Sequence, residues 1–329
     1  MSRIGLIVRA SNTGLGTLSF EYARHLRPEK VIIVTNGVEK LFPERYSDSE
    51  VRRAQQPFHL TPEEMEWITD GVDWVLSFET FYNWRVISHA RAKKVKTALL
   101  TMAELFPERV PIHPTLFLCP SALDMEIVPE PKVRIDVPVA TDRIKWRRRG
   151  KAKHFIHTAS HNGINGRKGT LPLIEAMKSV KSDIKLTIYS WQDFSVADPR
   201  IEVKAMNFKN YWQLYEEGDV LVYPQGANGI CLPIVEAMSA GMGVITTDIS
   251  PFNEYMPKEL LFGHDGLKKI RFGGNLREVD DPLISPKLIA EKIDEWAGKD
   301  IGEFSDYGKK WAEKNSWDKW LPKYQEILS

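Results

Sequence analysis

Short apolar runs recur along the chain at residues 4–8, 31–35, 73–78, 96–102, 116–119, 155–158, 185–190, 220–223 and 243–247. Between several of them the apolar positions fall at helical spacing, as in 18–26 and in 171–180, where Leu173, Ile174, Met177 and Val180 share one face. Apolar strands alternating with amphipathic helices predict parallel sheets covered by helices. The stretch 133–153 interrupts this alternation with Pro138 and a basic run at 145–153, and so marks a boundary between two such units. The expected organisation is an N-terminal α/β domain over residues 1–140, a C-terminal one over 141–305, and a terminal helix over 306–329. In that last segment Trp317, Trp320, Leu321, Tyr324, Ile327 and Leu328 form one apolar face behind Ser316, a good N-cap.

The densest chemical signal lies at 222–248. An apolar strand ends at Tyr223, Pro224 stops it, and Gly226 and Gly229 permit turns and close approach of a ligand to the backbone. Pro233 suits the first turn of a helix that Gly241 closes before the next strand. The N–H groups of residues 230–234 are expected to face the open side of the loop, where the positive end of a helix favours phosphate. Glu236, one turn in, is placed to accept hydrogen bonds from vicinal hydroxyls such as those of a ribose.

The order Gly229, Leu232, Pro233, Glu236, Ala237, Met238 and Gly241 resembles the donor loop of retaining GT-B glycosyltransferases, the large group 1 family that includes sucrose and glycogen synthases. In that family two glutamates eight positions apart bracket the loop, the first meeting the donor sugar and the second the ribose. Glu236 matches the second; the first falls on Asn228, which exchanges a charged acceptor for an amide. Hydrogen bonds to charged groups contribute about 1.5–3 kcal/mol, against about 0.5–1.5 for neutral ones. Lys168-Gly169, after the strand at 155–158, resembles the family's Lys-Gly pair, whose lysine binds the donor diphosphate. The family's Arg five positions earlier is Gly163 here, with Arg167 or His161 as substitutes out of register. The start of the chain, a strand followed by SNTGLG and a helix, also resembles the family, and Gly14 and Gly16 are expected to let the backbone approach the donor phosphates or the acceptor.

The resemblance implies an α/β GT-B fold of two Rossmann-like domains with parallel sheets facing across a cleft, the terminal helix packing back on the first domain. It implies a retaining, metal-independent transferase with a nucleotide sugar, a UDP-sugar above all, as co-substrate and no other cofactor. Donor binding is expected from Gly14, Gly16, Asn228, Gly229, Ile230, Cys231, Leu232 and Glu236, and catalytic contacts from Lys168 and Arg167. Glu79 and Glu104, which follow the strands at 73–78 and 96–102, are expected at the cleft rim, orienting acceptor or sugar hydroxyls. Asp280-Asp281 reads as a solvated pair in a polar loop, and no D-x-D carboxylate pair suggests a metal.

Composition narrows this picture only a little. The 329 residues are 43% hydrophobic and 27% charged with a net charge of +1, which fits two ordinary cores and carries no general polyanion signal. Cys119 and Cys231 are far apart and form no metal-type pair, and no apolar run reaches membrane-spanning length, so a reduced cytoplasmic setting is the simplest expectation. The acceptor stays open between a saccharide, a small molecule and a modified DNA base. For the last, the run Lys145, Arg147, Arg148, Arg149, Lys151 and Lys153 would hold the phosphate backbone. The oligomeric state is open too. The alternative function is a non-catalytic nucleotide-sugar binder that regulates a partner, in which Asn228 and Gly163 mark lost donor contacts.

Overall fold

The computed structural model describes residues 2–160, 163–165, 167–206 and 208–329. The chain falls into two compact units, one made of residues 1–138, 271–278 and 317–329 and the other of 139–270 and 279–316. Among the described residues no helix is long and apolar enough to cross a membrane.

The first unit opens with β1 (Ile4–Arg9), α1 (Gly14–Leu26), β2 (Lys30–Val34) and β3 (Glu50–Arg53). It continues through α2 (Pro62–Ile68), β4 (Trp74–Phe78), α3 (Val86–Ala92), β5 (Lys96–Leu100), β6 (Leu116–Cys119), α4 (Ala122–Ile127) and β7 (Lys132–Arg134). Its seven strands lie in the order β3-β2-β1-β4-β5-β6-β7, every pairing parallel. The central strands are buried on both faces, which is why they read as unbroken apolar runs.

The second unit holds β8 (His154–Ser160), α5 (Thr170–Met177), β9 (Lys185–Ser190), β10 (Ile201–Ala205), β11 (Val220–Tyr223) and α6 (Leu232–Ser239). After these come β12 (Gly243–Thr247), β13 (Leu261–Phe262), the hairpin strands β14 (Leu267–Ile270) and β15 (Val279–Pro282), then α7 (Pro286–Trp296) and α8 (Gly302–Lys314). Six strands form a parallel sheet ordered β10-β9-β8-β11-β12-β13, while β14 and β15 pair antiparallel beside it. Each large sheet therefore reverses its winding once, at β1/β4 in the first and β8/β11 in the second. Open parallel sheets bind ligands outside the carboxyl ends of the strands at such a reversal.

The last helix, α9 (Trp317–Ile327), belongs to the first unit. Where the periodicity predicts one terminal helix, two form, because α8 ends at Lys314 and the chain turns at Asn315 and Ser316. Tyr324 and Trp317 pack edge-on against Tyr22 of α1 at ring distances of 5.3 and 4.9 Å, and His25 stacks on Trp317 at 4.3 Å. The hydroxyls of Tyr22 and Tyr324 hydrogen-bond to each other at the centre of this buried cluster. Tyr324→Phe strips Tyr22 of that partner inside an apolar setting, and urea unfolding is expected to show a loss of about 1–3 kcal/mol. The double variant with Tyr22→Phe should recover part of it, and a fully additive loss would refute the pairing.

Candidate functional site

The second sheet's reversal is built around a buried imidazole. His157, on β8, presents Nδ1 to the Val222 carbonyl of β11 at 2.8 Å and Nε2 to the Thr170 hydroxyl of α5 at 2.9 Å. A carbonyl only accepts, so Nδ1 carries the proton and the Thr170 hydroxyl donates to Nε2. Burial lowers the pKa of the ring to about 4, so it is neutral near pH 7. One side chain thus ties together the two strands at the reversal and the helix that begins after the Lys168-Gly169 turn.

That turn lies against the loop leaving β11. Gly169 has φ +73° and caps α5; a Cβ there would overlap the Pro224 carbonyl, so glycine is required both by conformation and by space. Lys168 Nζ donates to Gln225 Oε1 at 3.2 Å and sits 5.5 Å from the centre of the Tyr223 ring. Gln225 and Tyr223 are fully buried, and the Gln225 amide nitrogen and Tyr223 hydroxyl find no partner among the described residues. The same holds for the Thr247 hydroxyl at the end of β12. Buried polar groups are nearly always paired, so three groups at adjacent strand ends without a partner among the described residues make this the candidate for a ligand site.

The loop before α6 differs from its expected form. Asn228 Oδ1 accepts from the N–H groups of Ile230 at 3.2 Å and Cys231 at 2.8 Å, while Ile234 N–H goes to the Cys231 carbonyl at 3.1 Å. Pro233 has no N–H, so among the described residues Leu232 is the one of 230–234 whose N–H has no partner. The amide oxygen of Asn228 occupies the place of an anion's oxygen, and a short polar side chain closing its own turn is ordinary Asx chemistry. Cys231 adopts φ +55° and is buried; burial pushes its thiol up to about 12, so it acts as a packing group.

Glu236 is almost fully buried on α6, and the Tyr215 hydroxyl donates to its Oε2 at 2.6 Å. Burial and the Glu236 charge hold the Tyr215 phenol well above its usual pKa, so it remains a donor. Gly226 and Ala227 are fixed from the far side by Asp281, whose Oδ1 accepts from the Ala227 N–H at 2.9 Å. A Cβ at Gly226 would overlap that carboxylate. Asp281 is thus not solvated as its polar neighbourhood suggests: it lies on β15, only 17% exposed, with Lys268 Nζ at 3.4 Å. Asp280 next to it does face solvent, paired with Lys269 at 2.9 Å.

Gly163 has φ +56°, and a Cβ there would meet Gln192 Oε1 at 2.6 Å. The backbone therefore favours glycine where the resembling family has arginine. Arg167 is exposed in the turn before Lys168, and His161 lies outside the described residues. Glu254 is exposed, accepting from Ser250 Oγ at 2.5 Å.

In the first unit the loops after β1 and β4 flank the other reversal. Thr13 caps α1 by accepting from the Gly16 N–H at 3.2 Å, and a Cβ at Gly16 would overlap the Ser11 carbonyl, whereas Gly14 faces open space. Glu79 takes φ +64° just past β4, donating its N–H to Leu100 at 2.9 Å, with its side chain half-buried. Glu104 is only 2% exposed rather than on an open rim. It lies near the buried Asp124, whose pKa is raised to about 7 by burial, with the Glu104 charge adding to the rise. Arg9 and Glu39 pair at 2.6 Å beneath the same loops. Among the described residues no group of three or more His, Cys, Asp or Glu side chains is arranged to hold a metal ion.

Tyr215, Tyr223, Gln225, Thr247 and Asp281 are the participants that the sequence pattern does not single out. A polar residue at the carboxyl end of an apolar strand was the available signal for Gln225 and Thr247.

With this geometry in view, the comparisons are consistent. Residues 153–268 match the family model "Glycosyl transferases group 1". A comparison with curated protein sequences gives no match. Among solved structures the chain is similar to a glycosyltransferase from Rickettsia africae ESF-5, with 15% identity, a TM-score of 0.70, and 99% of this chain and 97% of that one covered. It is similar to Anabaena Alr3699/HepE solved with UDP-glucose, with 12% identity, a TM-score of 0.70, and 100% and 99% covered. It is also similar to WaaG, a glycosyltransferase involved in lipopolysaccharide biosynthesis, with 13% identity, a TM-score of 0.59 and 99% of both chains covered. The shared fold is GT-B, with parallel sheets of seven and six strands here.

Two measurements test this architecture. His157 binds a proton in the unfolded chain near pH 6.5 and in the fold only near pH 4, so stability is full above about 6.5 and is lost as pH falls toward 4. The decline due to this ring is on the order of 3 kcal/mol. Urea unfolding from pH 7.5 to 4.5 should show a steeper decline for the native chain than for His157→Gln, and equal slopes would count against a neutral buried ring. Separately, Gly169→Ala should cost on the order of 1–3 kcal/mol through its left-handed φ and the Pro224 contact, while Gly14→Ala should leave the melting temperature nearly unchanged.

Proposed function

We propose that this chain, a GT-B protein whose residues 153–268 are a group 1 glycosyltransferase domain, moves a sugar from a UDP-sugar to a hydroxyl acceptor with retention of configuration. The observation that carries the proposal is the convergence, at the reversal of the second sheet, of Lys168, the buried and unmet polar groups of Tyr223, Gln225 and Thr247, and the carboxylate of Glu236. Uridine as the base rests on a similar structure, Anabaena Alr3699/HepE, solved in complex with UDP and with UDP-glucose.

In this reading Lys168 meets the diphosphate, with Arg167 as an outer cation. Gly229, Ile230, Cys231 and Leu232 line the phosphate approach, and Asn228 turns its Nδ2 toward the hexose. Phosphate oxygens reach the Ile230 and Cys231 N–H groups once the Asn228 oxygen moves aside. Tyr215 holds the carboxylate of Glu236 in place, and that carboxylate meets the ribose hydroxyls. Retention by a front-face route needs no protein base, because the departing diphosphate takes the acceptor proton while fixed donors stabilise its growing charge. Gly14 and Gly16 let the backbone approach the donor phosphates or the acceptor, and Glu79 orients acceptor or sugar hydroxyls, whereas the buried Glu104 does not reach them. No metal and no cofactor beyond the nucleotide sugar is invoked, and the acceptor is a hydroxyl compound: a saccharide, a small molecule or a modified DNA base.

A thermal-shift panel of nucleotide sugars followed by a nucleotide-release assay tests this. The correct donor at about one hundred times its dissociation constant should add roughly 2.7 kcal/mol of stability. Lys168→Ala should slow release on the order of a hundredfold or more, the loss of about 3 kcal/mol of barrier stabilisation. Tyr215→Phe should weaken donor binding with the base and ribose intact but leave discrimination among hexoses unchanged. Stabilisation by UDP-sugars without any release would instead support the non-catalytic binder, and stabilisation by none would remove both readings.

A further inference from the structure

The basic run at 145–153 does not behave as a uniformly solvated strip. Lys145, Arg147 and Arg148 are exposed, and Arg148 pairs with Asp306 at 3.2 Å, but Arg149 turns inward and is only 3% exposed. Its Nη2 donates to the Tyr215 carbonyl at 2.8 Å, while Nε and Nη1 are buried with no acceptor among the described residues. No carboxylate pairs with it among the described residues. A guanidinium does not give up its charge, and an unpaired buried charge is one of the most costly arrangements in a fold.

Arg149 lines a cavity of 350 Å³ within the second unit, together with Arg143, Lys145, Arg147, Trp146 and Trp212. Four cationic residues thus line it, against a single lining carboxylate, that of the exposed Glu216, which forms no ion pair among the described residues. Lys145 Nζ donates to the Asp142 carbonyl at 2.6 Å and Arg147 Nη2 to the Glu216 carbonyl at 3.3 Å, so among the described residues both heads meet carbonyls and no carboxylate. Arg143 lies over the Trp212 ring at 5.0 Å, which holds both in place at the wall. The Arg147 N–H meets the Ala240 carbonyl at 3.2 Å, so the carbonyl end of α6 is engaged there. The volume falls near the lower end of the range for small-molecule pockets, about 300–1,000 Å³.

We infer that this cavity is an anion site for a small phosphate-bearing molecule, a phosphomonoester or diphosphate, separate from the strand-end site that Lys168 and Glu236 define. Water in the cavity leaves the charge of Arg149 standing, whereas an anion there offsets it through space and is met directly by the more exposed cations of the wall; arginine is the side chain best suited to phosphate. The aromatic walls suit the organic part of such a molecule. A duplex is the less fitting occupant, because the most deeply placed cation is out of reach of an external backbone.

Isothermal titration of the full chain with inorganic phosphate and with pyrophosphate, at constant ionic strength and with or without saturating UDP, tests the inference. One equivalent is expected to bind with UDP present, and Arg149→Met should weaken that binding at least tenfold. Should Arg149→Met fail to fold, Arg147→Gln, at an exposed position, should still weaken it about threefold. Displacement of phosphate and pyrophosphate by UDP would assign them to the strand-end site and overturn the inference. Absence of binding, or equal binding in the variants, would leave only water in the cavity and overturn it as well. Binding of duplex DNA in their place would make the run a nucleic-acid contact instead.

Discussion

The second unit is organised by the way two parallel strands separate at a reversal while one neutral imidazole keeps them in register. His157 reaches from β8 to the backbone of β11 and to the first residue of α5. Because it does so, the Lys168-Gly169 turn and the loop after β11 come close enough that no side chain fits between Gly169 and Pro224. Lys168 then finds Gln225, and the strand ends are left with buried polar groups that water-accessible surfaces do not need. The candidate chemistry is therefore a product of backbone proximity first and of side-chain identity second.

Electrostatics refine that frame. Tyr215 is pushed far from ionisation by burial beside Glu236 and so acts as a fixed donor to it. Asp281 anchors the loop from outside by taking the Ala227 N–H, and Asn228 anchors it from inside by taking those of Ile230 and Cys231. A loop held at both ends by side-chain acceptors presents its remaining groups in a defined orientation, which is what preorganisation requires.

The elements themselves were largely legible in the chain. The runs at 155–158, 185–190, 220–223 and 243–247 are strands of one parallel sheet, because strands buried on both faces need no polar alternation and so stand out as apolar runs. Gly169 and Glu236 were legible for a similar local reason, each standing at a fixed offset from a strand end. What sequence could not show are contacts that depend on tertiary placement: Tyr215 meets Glu236 across 21 positions and Asp281 meets Ala227 across 54. Nor does the string of letters distinguish Arg149, which faces inward, from Arg148, which faces out. The position of Gly163 is another case, since its left-handed φ, which favours glycine over arginine, appears only in the fold.

The path of the chain adds a constraint of a different kind. It passes between the units at 138/139, 270/271, 278/279 and 316/317, so neither unit is one uninterrupted length of polypeptide. The strand that carries Asp281 begins immediately after the chain has lent eight residues, 271–278, to the other body. The second unit consequently cannot be cut out and grafted as a cassette with a single splice. Recombination at 138/139 alone would carry off both the octapeptide 271–278 and the closing helix that meets Tyr22, and so strip the first unit of two of its parts.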